Sequence, residues 1–355
     1  MRFLVVLLLG AALLAGCAQG GVIPAGSTAA PQSDARTAQA PQIGRSPKRR
    51  YDTRLLPAGF TPMAVMKDGQ IPGYRGNEAA IVTAMRPDAV KLLGTLPGYS
   101  ASVATSVNAS GVAVGYATND PFKDLRALEF SGGKAIDLKG HNYGPLFVHE
   151  ENRANSINDS GTIVGSELIG ADSNVLEFFI LGREAVQAPN GADCSPPVIN
   201  NAGEYVAQGG GGGVCTNIPA LSGQTFYSAP WIDEAGDVVG TTGYNEPFPA
   251  IALLHRGAVT VIPTPQGVDD NPSAVDEVNG VVEFVGPADP ETAYVYEHGK
   301  FTELADLTGA GSPSLVNAIG LDDAGDIVAR EASGPWVLLT PIDDGAIRWN
   351  HGGGT

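Results

Sequence analysis

Cysteine is scarce in this chain: Cys17, Cys194 and Cys215 are the only three in 355 residues. No Cys-x-x-Cys and no His-Glu-x-x-His occurs, so the spacings that most directly set ligands around zinc are missing. A Gly-x-Ser-x-Gly elbow and a phosphate-cradling glycine loop are absent too, and with them the local signatures of serine hydrolases and nucleotide binders. Basic residues are outnumbered, 21 Lys and Arg against 38 Asp and Glu, which leaves a formal charge of −17. A surface of that sign repels a phosphate backbone, which excludes nucleic acid as a partner. Amphipathic helical periodicity is missing as well. Gly and Pro make up 73 residues, and short apolar runs alternate with turn residues, the pattern of an all-β fold.

What is present begins at the N-terminus. Met1-Arg2 puts one positive charge ahead of the apolar run 3–9, and Leu14-Ala15-Gly16 leads into Cys17. A charged tip, an apolar core and small residues at a cleavage point form a secretory signal. The apolar stretch of about 14 residues falls short of the ~20 that span a bilayer. Leu14-Ala15-Gly16-Cys17 resembles the lipobox of bacterial lipoproteins. That resemblance implies lipidation of Cys17, cleavage before it, and, with Ala18 rather than Asp following, an outer-membrane destination. Several acyl chains together anchor stably where one alone is marginal. The alternative is an ordinary cleaved signal with an incidental cysteine.

Residues 1–17 are therefore expected to be the signal. Residues 18–50, rich in Ala, Gln, Gly, Pro, Ser and Thr, form a flexible tether ending in Lys48-Arg49-Arg50. The signal carries one net positive charge and the tether four, so residues 51–355 hold −22.

That remainder is repetitive. An apolar residue, Asn or Asp, two residues and Gly recur, with a small residue shortly after. Clear copies are Val107-Asn108-Ala109-Ser110-Gly111, Ile157-Asn158-Asp159-Ser160-Gly161, Ile199-Asn200-Asn201-Ala202-Gly203, Ile232-Asp233-Glu234-Ala235-Gly236 and Leu321-Asp322-Asp323-Ala324-Gly325. Val65-Met66-Lys67-Asp68-Gly69 is a degenerate copy, and Val275-Asp276-Glu277-Val278-Asn279-Gly280 carries one extra residue. The marker glycines 69, 111, 161, 203, 236, 280 and 325 are spaced by 42, 50, 42, 33, 44 and 45 residues. Each unit reads as a tight hairpin, its Asn or Asp bonding nearby backbone and its Gly taking the left-handed conformation. A second hairpin follows each, as in Ala127-Leu128-Glu129-Phe130 and Lys134-Ala135-Ile136-Asp137-Leu138.

Four strands per unit of this length is the size of a propeller blade. The sequence thus predicts a seven-bladed β-propeller over 51–340, with about four strands per blade. The last unit lacks a fourth strand, and 53–57 resembles one, so that strand is expected to pair into the last blade and remove both open edges. A C-terminal tail, 341–355, follows. Ile157-Asn158-Asp159-Ser160-Gly161-Thr162-Ile163-Val164-Gly165 resembles the HAF family of extracellular repeats. The resemblance covers most of 53–340; it implies an extracytoplasmic propeller and no particular activity.

In an oxidising compartment Cys194 and Cys215 are expected to pair, because the loops that carry them leave the ring on one side. The bridge would close about 20 residues, worth about 3 kcal/mol in the chain-entropy model. The Asn/Asp-x-x-Gly turns share one face, and the variable loops 118–126, 140–152, 170–174, 243–248, 267–271 and 286–291 collect on the other, where function usually resides. Candidate binding residues there are His141, Tyr143, His149, Glu150, Glu151, Glu246, Asp269 and Asp270. The two His and two Glu of the 140–152 loop would suit a metal or acid–base chemistry, but their spacing matches no metal motif; solvated loop polars are the alternative. Asp233–Asp237 and Asp322–Asp326 faintly resemble calcium loops, yet each occupies a repeat turn and lacks the full ligand series.

The expected function is that of a non-catalytic binding or scaffold lipoprotein. It would be monomeric, without cofactor or metal, and would engage a protein or glycan through its acidic loop face. The alternatives are a polysaccharide hydrolase or lyase with carboxylates near the channel, and a calcium- or metal-stabilised propeller.

Overall fold

The computed structural model describes residues 50–119, 125–138, 151–169, 175–181, 185–187, 196–209, 214–221, 226–242, 250–266, 268, 271–288, 292–309, 312 and 314–342. Nearly every element among them is an antiparallel strand, and the strands group into small sheets that follow the repeat.

Blade 1 comprises Phe60–Pro62, Gln70–Arg75, Glu78–Thr83 and Arg86–Gly94. Blade 2 comprises Ala101–Val107, Ala113–Thr118, Arg126–Ser131 and Lys134–Asp137. Blade 3 comprises Glu151–Ile157, Ile163–Ile169, Val175–Leu181 and Ala185–Gln187. After a smaller sheet come blade 4 (Phe226–Ile232, Val238–Thr242, Ala250–His255, Ala258–Pro263) and blade 5 (Ala274–Val278, Val281–Ala288, Thr292–Glu297, Lys300–Glu303). Blade 6 is built from Leu315–Leu321, Ile327–Glu331 and Trp336–Ile342, with Arg50–Leu55 as its outer strand.

The expectation of seven four-stranded blades is corrected: the ring has six blades of four strands, not seven. Among the described residues the unit around Gly203 yields a three-stranded sheet, Val198–Ile199, Tyr205–Gln208 and Val214–Thr216. The step from Gly203 to Gly236 is the shortest in the chain, 33 residues. Among the described residues, Pro219–Leu221 makes a 3₁₀ turn where a fourth strand would run. Proline has no N–H to offer a strand ladder, which disfavours pairing there.

The outer strand of blade 6 comes from the other end of the chain. Arg50–Leu55 runs antiparallel to Trp336–Ile342, with Thr53 opposite Leu339 and Arg54 opposite Leu338. It begins at residue 50, three residues earlier than the sequence suggests. Its pairing covers an edge that would otherwise present open N–H and C=O groups.

Consecutive sheets pack face to face, and the core is distributed among these contacts. Ile81 and Leu93 of blade 1 meet Ala104, Val107 and Leu128 of blade 2. Ile251 and Leu253 of blade 4 meet Phe284, Tyr294 and Phe301 of blade 5, where Phe284 stacks on Tyr296 at 4.5 Å. Val328 and Leu338 of blade 6 meet Phe60, Ile71 and Val82 of blade 1, which closes the ring. A strand covered on both faces loses the polar alternation of a one-sided sheet; Val238–Thr242 is buried at every position.

The small residue of each repeat has a steric cause. The innermost strand of blade 2 slips register between Ala104 and Ser106. A Cβ on Gly115, in the second strand, would fall on the carbonyl oxygen of Val103; Gly73 and Gly240 stand in the same relation to Thr61 and Ser228. The marker glycine is different: Gly111 has φ +77 and open space around it. Gly115→Ala should therefore cost about 2–3 kcal/mol through overpacking, whereas Gly111→Ala should cost about 1 kcal/mol through left-handed strain alone. Chemical denaturation of the two variants checks the ranking.

Candidate functional site

The innermost strands end in the repeat turns, and those turns are bonded to one another. Within a turn, Asn108 Oδ1 accepts the Val112 N–H at 3.0 Å and the Ser110 hydroxyl at 2.7 Å, while Gly111 N–H donates to the Asn108 carbonyl. This leaves the amide nitrogen of Asn108 free to reach the next sheet. It donates to the Asn158 carbonyl at 3.2 Å; Asn158 donates to the Asn200 carbonyl at 3.1 Å; Asn200 donates to the Asp233 carbonyl at 3.2 Å. Met66 holds the Asn position in blade 1, and there Gln70 reaches across instead, donating to the Asn108 carbonyl at 3.2 Å.

Two further rows run beside this amide ladder. The N–H of Ala109 donates to Asp159 Oδ1, that of Asp159 to Asn201 Oδ1, and that of Asn201 to Glu234 Oε2, all at 2.7–2.8 Å. Ser106 and Ser156 accept the N–H of Ile157 and Ile199 from the following sheet at 3.3 and 3.4 Å.

Around the other arc, aspartates stand where the asparagines were. Asp233 and Asp322 open their turns as Asn108 does, each accepting an N–H four residues on, at 2.7 and 2.8 Å. Asp276 stands within the innermost strand of blade 5, opposite Glu283, and the hairpin turns three and four residues later at Asn279-Gly280. An ionised carboxylate has no proton with which to continue an amide ladder. The second carboxyl oxygen of Asp233 is buried and has no hydrogen-bond partner. Burial, the largest cause, pushes Asp233 and Asp276 up to about 7 and Asp322 to about 8. Neighbouring carboxylates add to it: Asp237 and Glu277 near Asp233, Asp233 and Asp323 near Asp276, Asp326 near Asp322.

The same innermost strands border a cavity of about 320 Å³ in the ring. Trp231, Ile319, Met63 and Pro272 give it apolar walls, and Asn271, Asn317, Gln208, Ser228 and Ser273 bring amide and hydroxyl groups. Among the described residues that line it, none is Asp or Glu. Asn271 belongs to the variable loop 267–271, so the cavity extends toward the variable-loop end. Among the described residues, no group of three or more His, Cys, Asp and Glu is placed to hold a metal ion.

Most of the residues singled out from sequence lie outside the described residues: Cys17, His141, Tyr143, His149, Glu150, Cys194, Glu246, Asp269 and Asp270. Glu151 begins the innermost strand of blade 3, paired with Leu168. Cys215 sits opposite Ala207 in the three-stranded sheet. The channel residues Trp231, Asn317 and Gln208 were missed, because inward-facing positions on separate sheets share no local spacing. The sequence pattern of the turn Asn and Asp residues speaks for hairpin chemistry; the one signal of their sheet-to-sheet bonding is recurrence in every unit but the first, where Met66 stands.

No protein-family profile matches the chain, and no curated protein does. Solved structures do. One described as YCF48 bound to D1 peptide superposes with a TM-score of 0.53 at 12% identity, covering 86% of this chain and 99% of that one. The WD40 β-propeller domain of Doa1 gives 0.48 at 13% identity, over 82% of this chain and 96% of that one. At such identity the first likeness shows the fold alone: the chain is an all-β propeller.

Asn158→Ala removes the donor to Asn200 and the acceptor for Thr162 from a buried site. It should cost about 2 kcal/mol and lower Tm by about 4 °C in a thermal melt.

Proposed function

We propose that this protein is a non-catalytic binding scaffold that holds an extended peptide segment of a partner in its central cavity. The carrying observation is the composition of that cavity: a tryptophan beside amides and hydroxyls among its described lining residues. Amides and hydroxyls match the neutral donors and acceptors of a peptide backbone, and Trp231 supplies a broad apolar face. Glycosidase chemistry needs two carboxyl groups across the scissile bond, and the described lining residues supply none. The propeller of like fold is itself described with a peptide bound, which supports the same use here. The formal charge of −22 on residues 51–355 would favour a basic segment.

The test is a peptide array probed with the full chain in detergent. Basic extended peptides should be retained and shift the Trp231 fluorescence, and Trp231→Ala or Asn317→Leu should weaken retention at least tenfold. Retention that is unchanged in both variants, or recovery of oligosaccharides alone, would overturn the reading.

We extend the proposal to the rest of the chain. The lipobox-like Leu14-Ala15-Gly16-Cys17 supports a lipid anchor at Cys17 in the outer membrane, with 18–50 as tether and the ring as a HAF-type repeat monomer. Cys194 and Cys215 then pair as a disulfide. Thiol titration of the unreduced mature protein should find no free thiol. Two would remove the bridge, and three would remove the lipid as well.

A further inference from the structure

We propose that Asp233, Asp276 and Asp322 are held as neutral carboxylic acids that donate hydrogen bonds in place of amides, and that their ionisation loosens the arc of blades 4, 5 and 6. The argument begins from the ladder. From blade 1 to blade 4 each sheet sends a side-chain amide to the carbonyl of the next turn, through Gln70, Asn108, Asn158 and Asn200. From blade 4 onward carboxyl groups follow: Asp233 and Asp322 open their turns in the same place, and Asp276 stands within the innermost strand of blade 5, its Oδ1 accepting the Glu277 N–H at 2.7 Å. The Asn nitrogen and the second Asp oxygen occupy equivalent positions on isosteric side chains. In Asp233 that oxygen is buried without a partner, and in Asp322 it faces Gly69 of blade 1. A carboxylic acid in this place has a proton to offer, whereas a carboxylate would be a buried charge facing other carboxyl groups.

The surroundings favour the neutral form. Asp233 is faced by Asp237 on its own turn and by Asp276 and Glu277 of blade 5. Asp237 is itself bonded to His255 at 2.8 Å, so that histidine is already engaged. Asp276 is faced by Asp233, Asp323 and Lys67, and Asp322 by Asp326, Asp323 and Asp276. Lys67 also acts on Glu234 and Asp323, which divides one positive charge among several carboxyls.

The arc has a consequence for the cavity. Trp231 precedes Asp233 by two residues, Ser273 precedes Asp276 by three, and Ile319 precedes Asp322 by three. In blades 4 and 6 the innermost strand carries a cavity-lining residue just ahead of the acidic position, and in blade 5 Ser273 immediately precedes that strand, so loosening the one displaces the other.

The direction with pH follows from linkage. Folding raises these groups above their unfolded value of about 4, so the folded chain binds the extra protons. Stability from them is fully present below about pH 4 and is lost as pH rises through about 7 to 8. The test needs no ligand and stands apart from whether the cavity binds a peptide. Thermal melts of the full chain are recorded from about pH 5 to about pH 9 in ~0.3 M salt, which screens general acidic repulsion. Tm should fall by about 5 °C or more in the unaltered protein. In the Asp233→Asn, Asp276→Asn, Asp322→Asn triple variant it should fall by less than half as much and end higher at the alkaline end. Infrared spectra of the unaltered protein near pH 6 should show a protonated-carboxyl band that Asp233→Asn alone diminishes. Parallel melting curves, or a band that is absent or unaffected, would overturn the proposal; the infrared arm decides if the triple variant does not fold.

Discussion

The ring depends on one interaction: the asparagine that opens a repeat turn, at positions 108, 158 and 200, bonds its own turn with one atom and the next sheet's carbonyl with another. Asparagine does this because its oxygen accepts while its nitrogen donates. Each blade taken alone is a four-stranded sheet with two apolar faces, which water would not tolerate. Stacking side by side buries both faces, and the amide ladder sets the spacing at the end nearest the axis, where the strands converge. The glycines of the second strands serve the same end by letting the slipped innermost strand approach without a Cβ in the way.

The three aspartates divide the ring into two arcs that differ chemically but not in architecture. One arc is closed by groups that do not titrate; the other is closed by groups that exchange a proton. The cavity is lined mainly from the second arc. Stability and ligand access therefore meet in the same strands, and a proton bound at the turn is felt two or three residues away in the cavity wall.

Much of the fold could be read from the chain. The recurring Asn-x-x-Gly signalled hairpins, because only certain residues form a left-handed turn cheaply, and the spacing signalled repeated small sheets. The number of four-stranded blades could not be read, because counting turns assumes that every unit carries the same strands. The unit around Gly203 breaks the assumption: its short step and Pro219 give a three-stranded sheet. The variable loops were the expected site, and a loop residue, Asn271, does line the cavity; Trp231 and Asn317 escaped notice because they stand on strands more than 80 residues apart.

By itself the sequence determined the class of element, the hairpin chemistry and the acidic character of the domain, since these follow from local propensity and composition. Only the tertiary structure decided which side chains face the axis, how many strands each unit completes, and that the turn asparagines act between sheets as well as within their own turns. The physical reason is closure. Ring curvature brings residues 33–50 positions apart into hydrogen-bond distance, and no local pattern records whether the side chain arriving there has a proton to give.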